Sequence, residues 1–541
     1  MKGKNLVMIF VFILLGMGIV KATEAFQIIY GRIGDNFGYA VQQTFDRGYI
    51  ITGYTEGING GEDVYLIKTD STGDTLWTKS YGGTGDDEGY SVQQTTDTGY
   101  IIVGRTNSFD SVNYHIYLIK TNSMGDTLWT RTYGGINWEE GYSVQQTTDG
   151  GYIFVGYTGS FGDIINHSAD VYLIKTDSIG DTLWTKTYGG TQGDVGYSVQ
   201  QTTDGGYIIT GETISFGWAS SLDTVRHVYL IKTNAFGDTL WTKIYGGNGS
   251  VGEQGNSVKQ TTDGGYIILG VTNSFDSVFN EIYLIKTDAN GDTLWTKIYG
   301  GNGPVWGYSV QQTTDGGYII SGYIDIADSG LIDAYLIKTN PIGDTLWTRS
   351  YKGNNEHSYG YYVHQTTDGG YIIVGQSYYL SYGYMLYLVK TDANGYSGCN
   401  QDQTKINVIS PPTQVGNTHT HVSNGCIITS PPTVVNSGGI IKVYCRNDDE
   451  GINTITSPSP SPSLLLSPNP FTTTTTLTLQ GTYHNPSLFI YNLLGQEVRS
   501  IPIGTNTQLT INRERLASGM YFYKLIDENK EVIGIGKMVV E

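Results

Sequence analysis

Three observations predict an all-β fold, read as a seven-bladed β-propeller closed by an N-terminal strand in the last blade and followed by a linker and a small C-terminal β-sandwich. First, a unit of roughly fifty residues recurs along the chain, the signature of repeated supersecondary structure. It opens with Gly-Tyr-(Ser/Ala)-Val-Gln-Gln-Thr or a close variant at Gly38, Gly89, Gly141, Gly196, Gly255, Gly307 and Gly360, each followed by Asp-x-Gly-Tyr-Ile. Second, every unit divides into four short runs rich in Tyr, Ile, Val and Thr between turn residues, the pattern of strands. Third, the seventh unit stops at Asp392-Ala-Asn-Gly395 without a Leu-Trp-Thr strand, while Phe26–Gly31 stands before the first unit where such a strand belongs.

The chain begins Met-Lys-Gly-Lys-Asn, continues through an apolar run from Leu6 to Val20 and reaches Lys-Ala-Thr-Glu-Ala. This layout is that of a secretory signal peptide over residues 1–22, with small residues that also allow cleavage as late as Ala25. No Cys follows to receive a lipid. The rest of the chain has no apolar run near the roughly 20 residues of a membrane-spanning helix, so no transmembrane segment is expected in the mature protein.

Residues 26–395 form the propeller. In the third unit the strands are read as Tyr142–Thr147, Tyr152–Thr158, Val171–Thr176 and Thr182–Tyr188, joined by Thr-Asp-Gly-Gly and Asp-Ser-Ile-Gly-Asp turns. Consecutive hairpins make a four-stranded antiparallel meander. Radial closure removes the long edges that an open array would leave. Phe26–Gly31 is expected to pair with the strand around Leu386–Thr391. Trp77, Trp129, Trp184, Trp241, Trp295 and Trp347 recur once per unit. They are read as packing between blades, where burying such a ring contributes about 1.5–3 kcal/mol, not as a ligand-stacking ladder.

Residues 396–463 hold all three cysteines, repeat Ser-Pro-Pro-Thr at Ser410 and Ser430, and end in alternating Ser and Pro up to Ser463. The last part reads as a stiff extended linker. Three disulfide pairings are open, and the one favoured joins Cys399 to Cys445, which bracket the segment.

Charge and motifs limit the function classes. A formal net charge of −19 over 541 residues, with no basic stripe, gives no footprint for nucleic acid. No Gly-x-Ser-x-Gly elbow or phosphate-cradling Lys-Ser/Thr appears. His419-x-His421 lacks neighbouring Cys or carboxylates for zinc. Asp288-Ala-Asn-Gly-Asp292 and its counterparts contain fragments of a calcium loop but lack the later bidentate Glu, so they read as hairpin turns. Structural calcium is the one cofactor to consider, and none is expected.

Successive turns of a meander alternate between two ends. One end carries uniform turns; the other carries loops that vary among the units and bear Trp138, Phe161, Trp218, Trp306, Tyr379 and Tyr382. Variable loops on a rigid frame suit recognition. Glu139 and Glu140 beside Trp138, and Asp86, Asp87 and Glu88 one unit earlier, are read as an acidic rim in inter-blade loops. The candidate ligand-binding residues are Trp138, Glu139, Glu140, Trp218 and Trp306; no catalytic residue is assigned.

The blade pattern Asp-Gly-Gly-Tyr-Ile…Tyr-Leu-Ile-Lys-Thr-Asp…Gly-Asp-Thr-Leu-Trp-Thr-Lys…Tyr-Gly-Gly resembles the tandem propeller repeats of exported Bacteroidota-type proteins, a family that implies no single activity. Its turn is similar to the Asp-box of sialidase-like propellers, but Asp70 and Gly73 are one residue further apart than in that motif. From Leu464 to Glu541 the chain resembles the C-terminal sorting domain of type IX secretion (Por secretion system) substrates, through Ser467-Pro-Asn-Pro470, Ile490–Val498, Leu516–Leu525 and Gly536–Val540. This resemblance implies export through the periplasm by the type IX machinery, with release or attachment at the outer-membrane surface.

The expected function is that of a secreted or surface-displayed binding or adhesion protein presenting a loop face to glycan or protein. Two alternatives stand beside it: a polysaccharide hydrolase or lyase using rim carboxylates such as Glu139 or Glu140, and a structural surface protein that binds nothing.

Overall fold

A computed structural model of the chain describes residues 25–446 and 464–540 apart from 33, 58–59, 110–112, 163–167, 218–224, 248–251, 276–278, 327–329, 354–355, 381, 399, 404–405, 412–413, 418–420, 424–426, 430–433, 437–439, 468–471, 480–485, 493–496, 504–507, 515 and 527–531. The expected signal peptide, Trp218, Cys399, Cys426 and His419 lie outside the described residues. The fold is all-β, with no helix among the described residues, and none long and apolar enough to cross a membrane. The chain divides into two units, Met1–Asn453 and Thr454–Glu541.

In the first unit each repeat folds as an antiparallel meander, giving seven sheets. The first contains Asn36–Gln43, Tyr49–Glu56, Glu62–Thr69 and Thr75–Gly82. The third contains Glu139–Gln146, Tyr152–Thr158, Asp170–Thr176 and Thr182–Gly189, so its first strand starts three residues before the expected Tyr142. Phe26–Gly31 supplies the fourth strand of the seventh sheet, pairing Phe26 with Lys390 and Tyr30 with Leu386.

Each sheet is locked by an internal ion pair that explains two repeated motifs. The Lys of Tyr-Leu-Ile-Lys-Thr reaches back to the Asp of the first turn, as in Lys68–Asp46, Lys175–Asp149 and Lys286–Asp263, each at 2.9 Å. The ammonium is almost fully buried, and it also donates to the adjacent Thr carbonyl at 2.7 Å in the first sheet. At Asp263 burial pushes the carboxyl up, but hydrogen bonds from Thr261 and Lys286 outweigh it and hold the group at about 2.

Neighbouring sheets are joined by a second repeated device. The Tyr ending each fourth strand donates its hydroxyl to the carbonyl of the Gly in the next sheet's last turn. Tyr81 reaches Gly125 at 2.6 Å, Tyr133 Gly180 at 2.6 Å, Tyr188 Gly237 at 2.7 Å, Tyr245 Gly291 at 2.6 Å, Tyr299 Gly343 at 2.6 Å and Tyr351 Gly395 at 2.8 Å. Tyr30, on the N-terminal strand of the seventh sheet, reaches Gly73 of the first at 2.6 Å. Gly125 has φ +77°, and a Cβ there would lie 2.8 Å from the Trp77 ring, so the turn Gly lets the preceding sheet's Trp close over it. Trp77 also packs edge-on against Tyr100 of the second sheet at 5.9 Å. Phe26, Ile28 and Tyr30 share one buried cluster with Tyr49, Ile51, Tyr65 and Ile67 of the first sheet.

The cysteine-bearing segment from residue 396, ahead of the expected Ser/Pro linker, joins the seven sheets. Its strands add a fifth strand to every sheet, visiting them in reverse order. Gln401–Asp402 pairs with the sixth sheet, Asn407–Ile409 with the fifth, Gln414–Asn417 with the fourth and His421–Ser423 with the third. Ile427–Thr429 then pairs with the second and Val434–Asn436 with the first. Ile440–Arg446 returns to the seventh, where it pairs with Phe26–Gly31 and sets Cys445 opposite Gln27. The boundary expected at residue 395 therefore moves past Arg446. The physical reason is that each fourth strand would otherwise present an unpaired edge.

The second unit contains a three-stranded sheet, Leu464–Ser467, Thr474–Leu479 and Gln508–Asn512, and a four-stranded sheet, Glu497–Pro502, Ser487–Tyr491, Gly519–Ile526 and Val532–Val540. Leu477 and Ile511 of the smaller sheet share one core with Leu488, Ile490, Leu525 and Met538 of the larger.

Candidate functional site

All seven first strands carry a β-bulge at the same place, immediately after the Gly of Gly-Tyr-Ser-Val. A bulge leaves one residue outside the ladder and re-aims its side chain. Here that residue is Tyr39, Tyr90, Tyr142, Tyr197, Asn256, Tyr308 or Tyr361, and all seven line a single cavity of about 620 Å³. The Gly opposite is required by close approach: a Cβ on Gly53 would lie 1.7 Å from the Phe37 carbonyl oxygen.

The tyrosines form a collar. Ring centroids are 5.1 Å apart for Tyr39 and Tyr90, 5.4 Å for Tyr90 and Tyr142, 5.2 Å for Tyr142 and Tyr197, 5.1 Å for Tyr308 and Tyr361, and 5.7 Å for Tyr361 and Tyr39. Asn256 interrupts the collar and donates instead to the Gly307 carbonyl at 2.7 Å. Toward the loop end the collar continues into an aromatic band across the sixth, seventh and first sheets. Trp306 stacks on Tyr323 at 6.1 Å, Tyr323 meets Tyr359 at 5.0 Å, and Phe37 meets Tyr384 at 5.4 Å and stacks on Tyr54 at 4.6 Å. Trp306, Tyr323, Tyr359, Tyr384 and Phe37 are all half-buried.

Beside the band lies an ionic cluster that the repeat pattern does not disclose. Arg105, on the second strand of the second sheet, is bonded to Glu88 and reaches Glu140 of the third sheet at 2.8 Å. Its guanidinium also covers the Tyr114 ring at 4.2 Å. Burial and the neighbouring charges of Glu88 and Asp86 raise the Glu62 carboxyl to about 7, and it shares a hydrogen bond with Glu88. The cluster therefore holds a carboxyl that keeps its proton near neutrality next to carboxylates tied to a cation.

The predicted residues fall in different environments. Trp138 is 59% exposed and its indole N–H donates to Asn113. Glu139 and Glu140 are not loop residues but the first two residues of a strand, so their side chains diverge. Glu139 is fully buried; it pairs with His115 Nδ1 at 3.0 Å and accepts from Thr158 at 2.8 Å and from the Gly135 N–H at 3.1 Å. It closes the loop Gly135–Trp138 and is not presented to solvent. Glu140 faces the cluster, accepting from Tyr142 at 2.9 Å as well as from Arg105. Trp306 belongs to the aromatic band. The turn Asp288–Asp292 is closed internally, Asp288 Oδ1 accepting from the Asn290 N–H at 2.8 Å and the Asp292 N–H at 2.9 Å. Among the described residues no group of three or more His, Cys, Asp and Glu is placed to hold a metal ion.

A search of curated proteins finds no match. Among solved structures, the chain is similar to the extracellular domain of a hybrid two-component system from B. thetaiotaomicron, at 9% identity and a TM-score of 0.17, covering 95% of this chain and 99% of that one. A second, described as the extracellular domain of a one-component system from the same organism, gives 9% identity, a TM-score of 0.15 and the same coverage. Superpositions of this quality place no constraint on fold or function. The informative match is in the second unit, where residues 466–541 fit the family described as the secretion system C-terminal sorting domain. Its strands and shared core are those described above, and this tail indicates export to the cell surface or secretion.

Proposed function

We propose that the seven sheets are the blades of a seven-bladed β-propeller, that the second unit is a small β-sandwich, and that the exported protein is a binding or adhesion module recognising a ligand at the loop end of the propeller. The observation that carries this reading is the half-buried aromatic band from Trp306 to Phe37. Half-buried aromatic rings, set beside carboxylates and the Arg105 cluster, suit the apolar faces and hydroxyls of sugars; a protein surface is the second ligand class.

The alternative, cleavage of a polysaccharide by rim carboxylates, draws on the proton shared by Glu62 and Glu88. Glycosidases keep their two carboxyls roughly 5–10 Å apart to admit the sugar carbon or a water. A pair in hydrogen-bond contact leaves no such space, and Glu88 and Glu140 are both occupied by Arg105. Binding without turnover is the better reading.

The test is a glycan array and polysaccharide-depolymerisation assays on the mature chain, with Trp306→Ala and Tyr323→Ala variants. Saturable binding that both variants weaken, with no product released, supports recognition. Product release that Glu140→Gln abolishes establishes the enzyme, and silence in every assay leaves the structural reading.

A further inference from the structure

The cavity has a second end, beyond the collar, where a ring of side chains differs in chemistry from the loop face. Two residues after Ser or its counterpart, the first strands place Gln42, Gln93, Gln145, Gln200 and Gln311 on the cavity wall. Each uses its side-chain oxygen in the same way, accepting from the backbone N–H of the following sheet: Gln94 at 2.6 Å, Gln146 at 2.6 Å, Gln201 at 2.7 Å, Gln260 at 2.7 Å and Gln365 at 2.7 Å. An N–H can bond only to the amide oxygen, so this fixes the orientation of all five amides. Their NH₂ groups are left as donors with no partner among the described residues.

The two remaining places in the ring are Lys259 and His364, which also line the cavity. Lys259 has no hydrogen bond or ion pair among the described residues. Burial and the charge of Lys259 push His364 down to about 4, so at neutral pH Lys259 supplies the charge of this ring. Among the described residues no carboxylate lines the cavity. The acidic cluster near Glu88 lies five residues earlier on the same strand as Gln93, roughly 16 Å away at about 3.3 Å per residue, beyond the screening length of roughly 8–10 Å in physiological salt.

A cation with no counter-ion among the described residues, in a chain of net charge −19 and surrounded by oriented amide donors, suits an anion. We propose that this end of the channel binds a small oxyanion, a carboxylate or sulfate group, with Lys259 as its counter-charge and the glutamine NH₂ groups as hydrogen-bond donors. The shared chemistry is that of a free inorganic anion or of the acidic group of a uronic or sulfated sugar. The inference does not rest on the loop-face reading, because the two sites share no residue and lie at opposite ends of the collar.

The experiment is isothermal titration of the full mature chain with sodium sulfate, galacturonate and neutral galactose at matched ionic strength. The variant is Lys259→Gln, which installs the residue that five sheets already carry at this place, so the fold is retained and the melting temperature serves as its check. Saturable binding of sulfate or galacturonate, weakened about tenfold or more by Lys259→Gln, is expected, since a charge-assisted hydrogen bond contributes at least that much. Tight galacturonate with weak sulfate assigns the site to an acidic sugar; the reverse assigns it to the free anion. His364→Gln completes a sixth amide and retains binding, and Lys297→Gln on the outer surface leaves it unchanged. No saturable binding of either anion, equal binding by Lys259→Gln, or equal binding of neutral galactose overturns the proposal.

Discussion

Removing Phe26–Gly31 from a chain expressed from Ala25 tests whether the N-terminal strand ties the seventh sheet to the first. Phe26, Ile28, Ile29 and Tyr30 are each no more than 1% exposed, and burying such side chains contributes about 1.5–3 kcal/mol apiece, or about 6–12 kcal/mol together. The strand also lies between Gly383–Thr391 and Ile440–Arg446, so its loss detaches the outer strand from the seventh sheet. With an unfolding entropy of about 2.1 cal/mol/K per residue, residues 25–446 lose about 0.9 kcal/mol per degree, and the deletion lowers the melting temperature by about 7–13 °C. Calorimetry on the mature chain measures this directly. Tyr30→Phe and Tyr133→Phe provide the finer comparison, because each deletes a buried hydroxyl bonded to a turn carbonyl at 2.6 Å. Each costs about 1–3 kcal/mol, and in a closed ring the two losses are equal. A deletion that melts within about 2 °C of the parent chain, or a Tyr30→Phe substitution without effect beside a destabilising Tyr133→Phe, refutes closure by this strand.

Three other outcomes follow from the site and the termini. Burial raises the Asp194 carboxyl to about 6, so the folded state binds more protons than the unfolded one between its ordinary value and 6, and stability falls as pH rises through that window; in Asp194→Asn the melting temperature drops less between pH 5 and pH 8, and an unchanged drop excludes Asp194 as its source. A carboxyl-carbon NMR titration places the Glu62 midpoint near 7, whereas a Glu62 midpoint near the ordinary 4.5 shows that burial and its neighbours do not hold its proton. Removing residues 466–541 in a host with type IX machinery leaves a folded first unit in the periplasm; normal export of that truncation disproves the role of the tail.

The repeat made the meanders legible, because Gly-Tyr, Asp-x-Gly-Tyr-Ile and Gly-Asp-Thr-Leu-Trp mark the strands and turns in every unit. Pairing of Phe26–Gly31 with the seventh sheet was legible for the same reason, since a missing strand at one end matched an extra one at the other. The outer fifth strands were not. Val408, Val415, Val422, Ile428, Val435 and Ile441 fall opposite Tyr299, Tyr245, Tyr188, Tyr133, Tyr81 and Tyr30, one apolar residue every six or seven positions. Three-residue strands separated by Pro, Gly and Ser give no alternation long enough to read as sheet, and the partner that stabilises each of them lies far away in sequence. At the site, the aromatic rim was partly legible in Trp306, whereas Glu139 was misplaced because strand start and loop end look alike when a bulge follows. The signal that sequence reasoning passed over was departure from the repeat: Arg105 where other units have Tyr157 or Tyr323, and Lys259 and His364 where five units have Gln. In a repeat protein the shared residues build the frame, and the residues that break the pattern are free to serve function.

The placement of both ends of the first unit on one sheet constrains how it assembles. Hairpins within a repeat close over a few residues and form early, since loop closure is least costly when short. The seventh sheet is different: Phe26 pairs with Lys390 on one side and Arg446 on the other, the longest sequence separations in the unit. Its outer strand comes from a segment that has first passed along the other six sheets. The seventh sheet and the outer circuit therefore both need the chain as far as Arg446. The sorting domain begins just beyond this point, at residue 466. The tail thus follows in sequence every residue that the seven sheets need, and contact order predicts that the long-range pairings at the N-terminal strand form late.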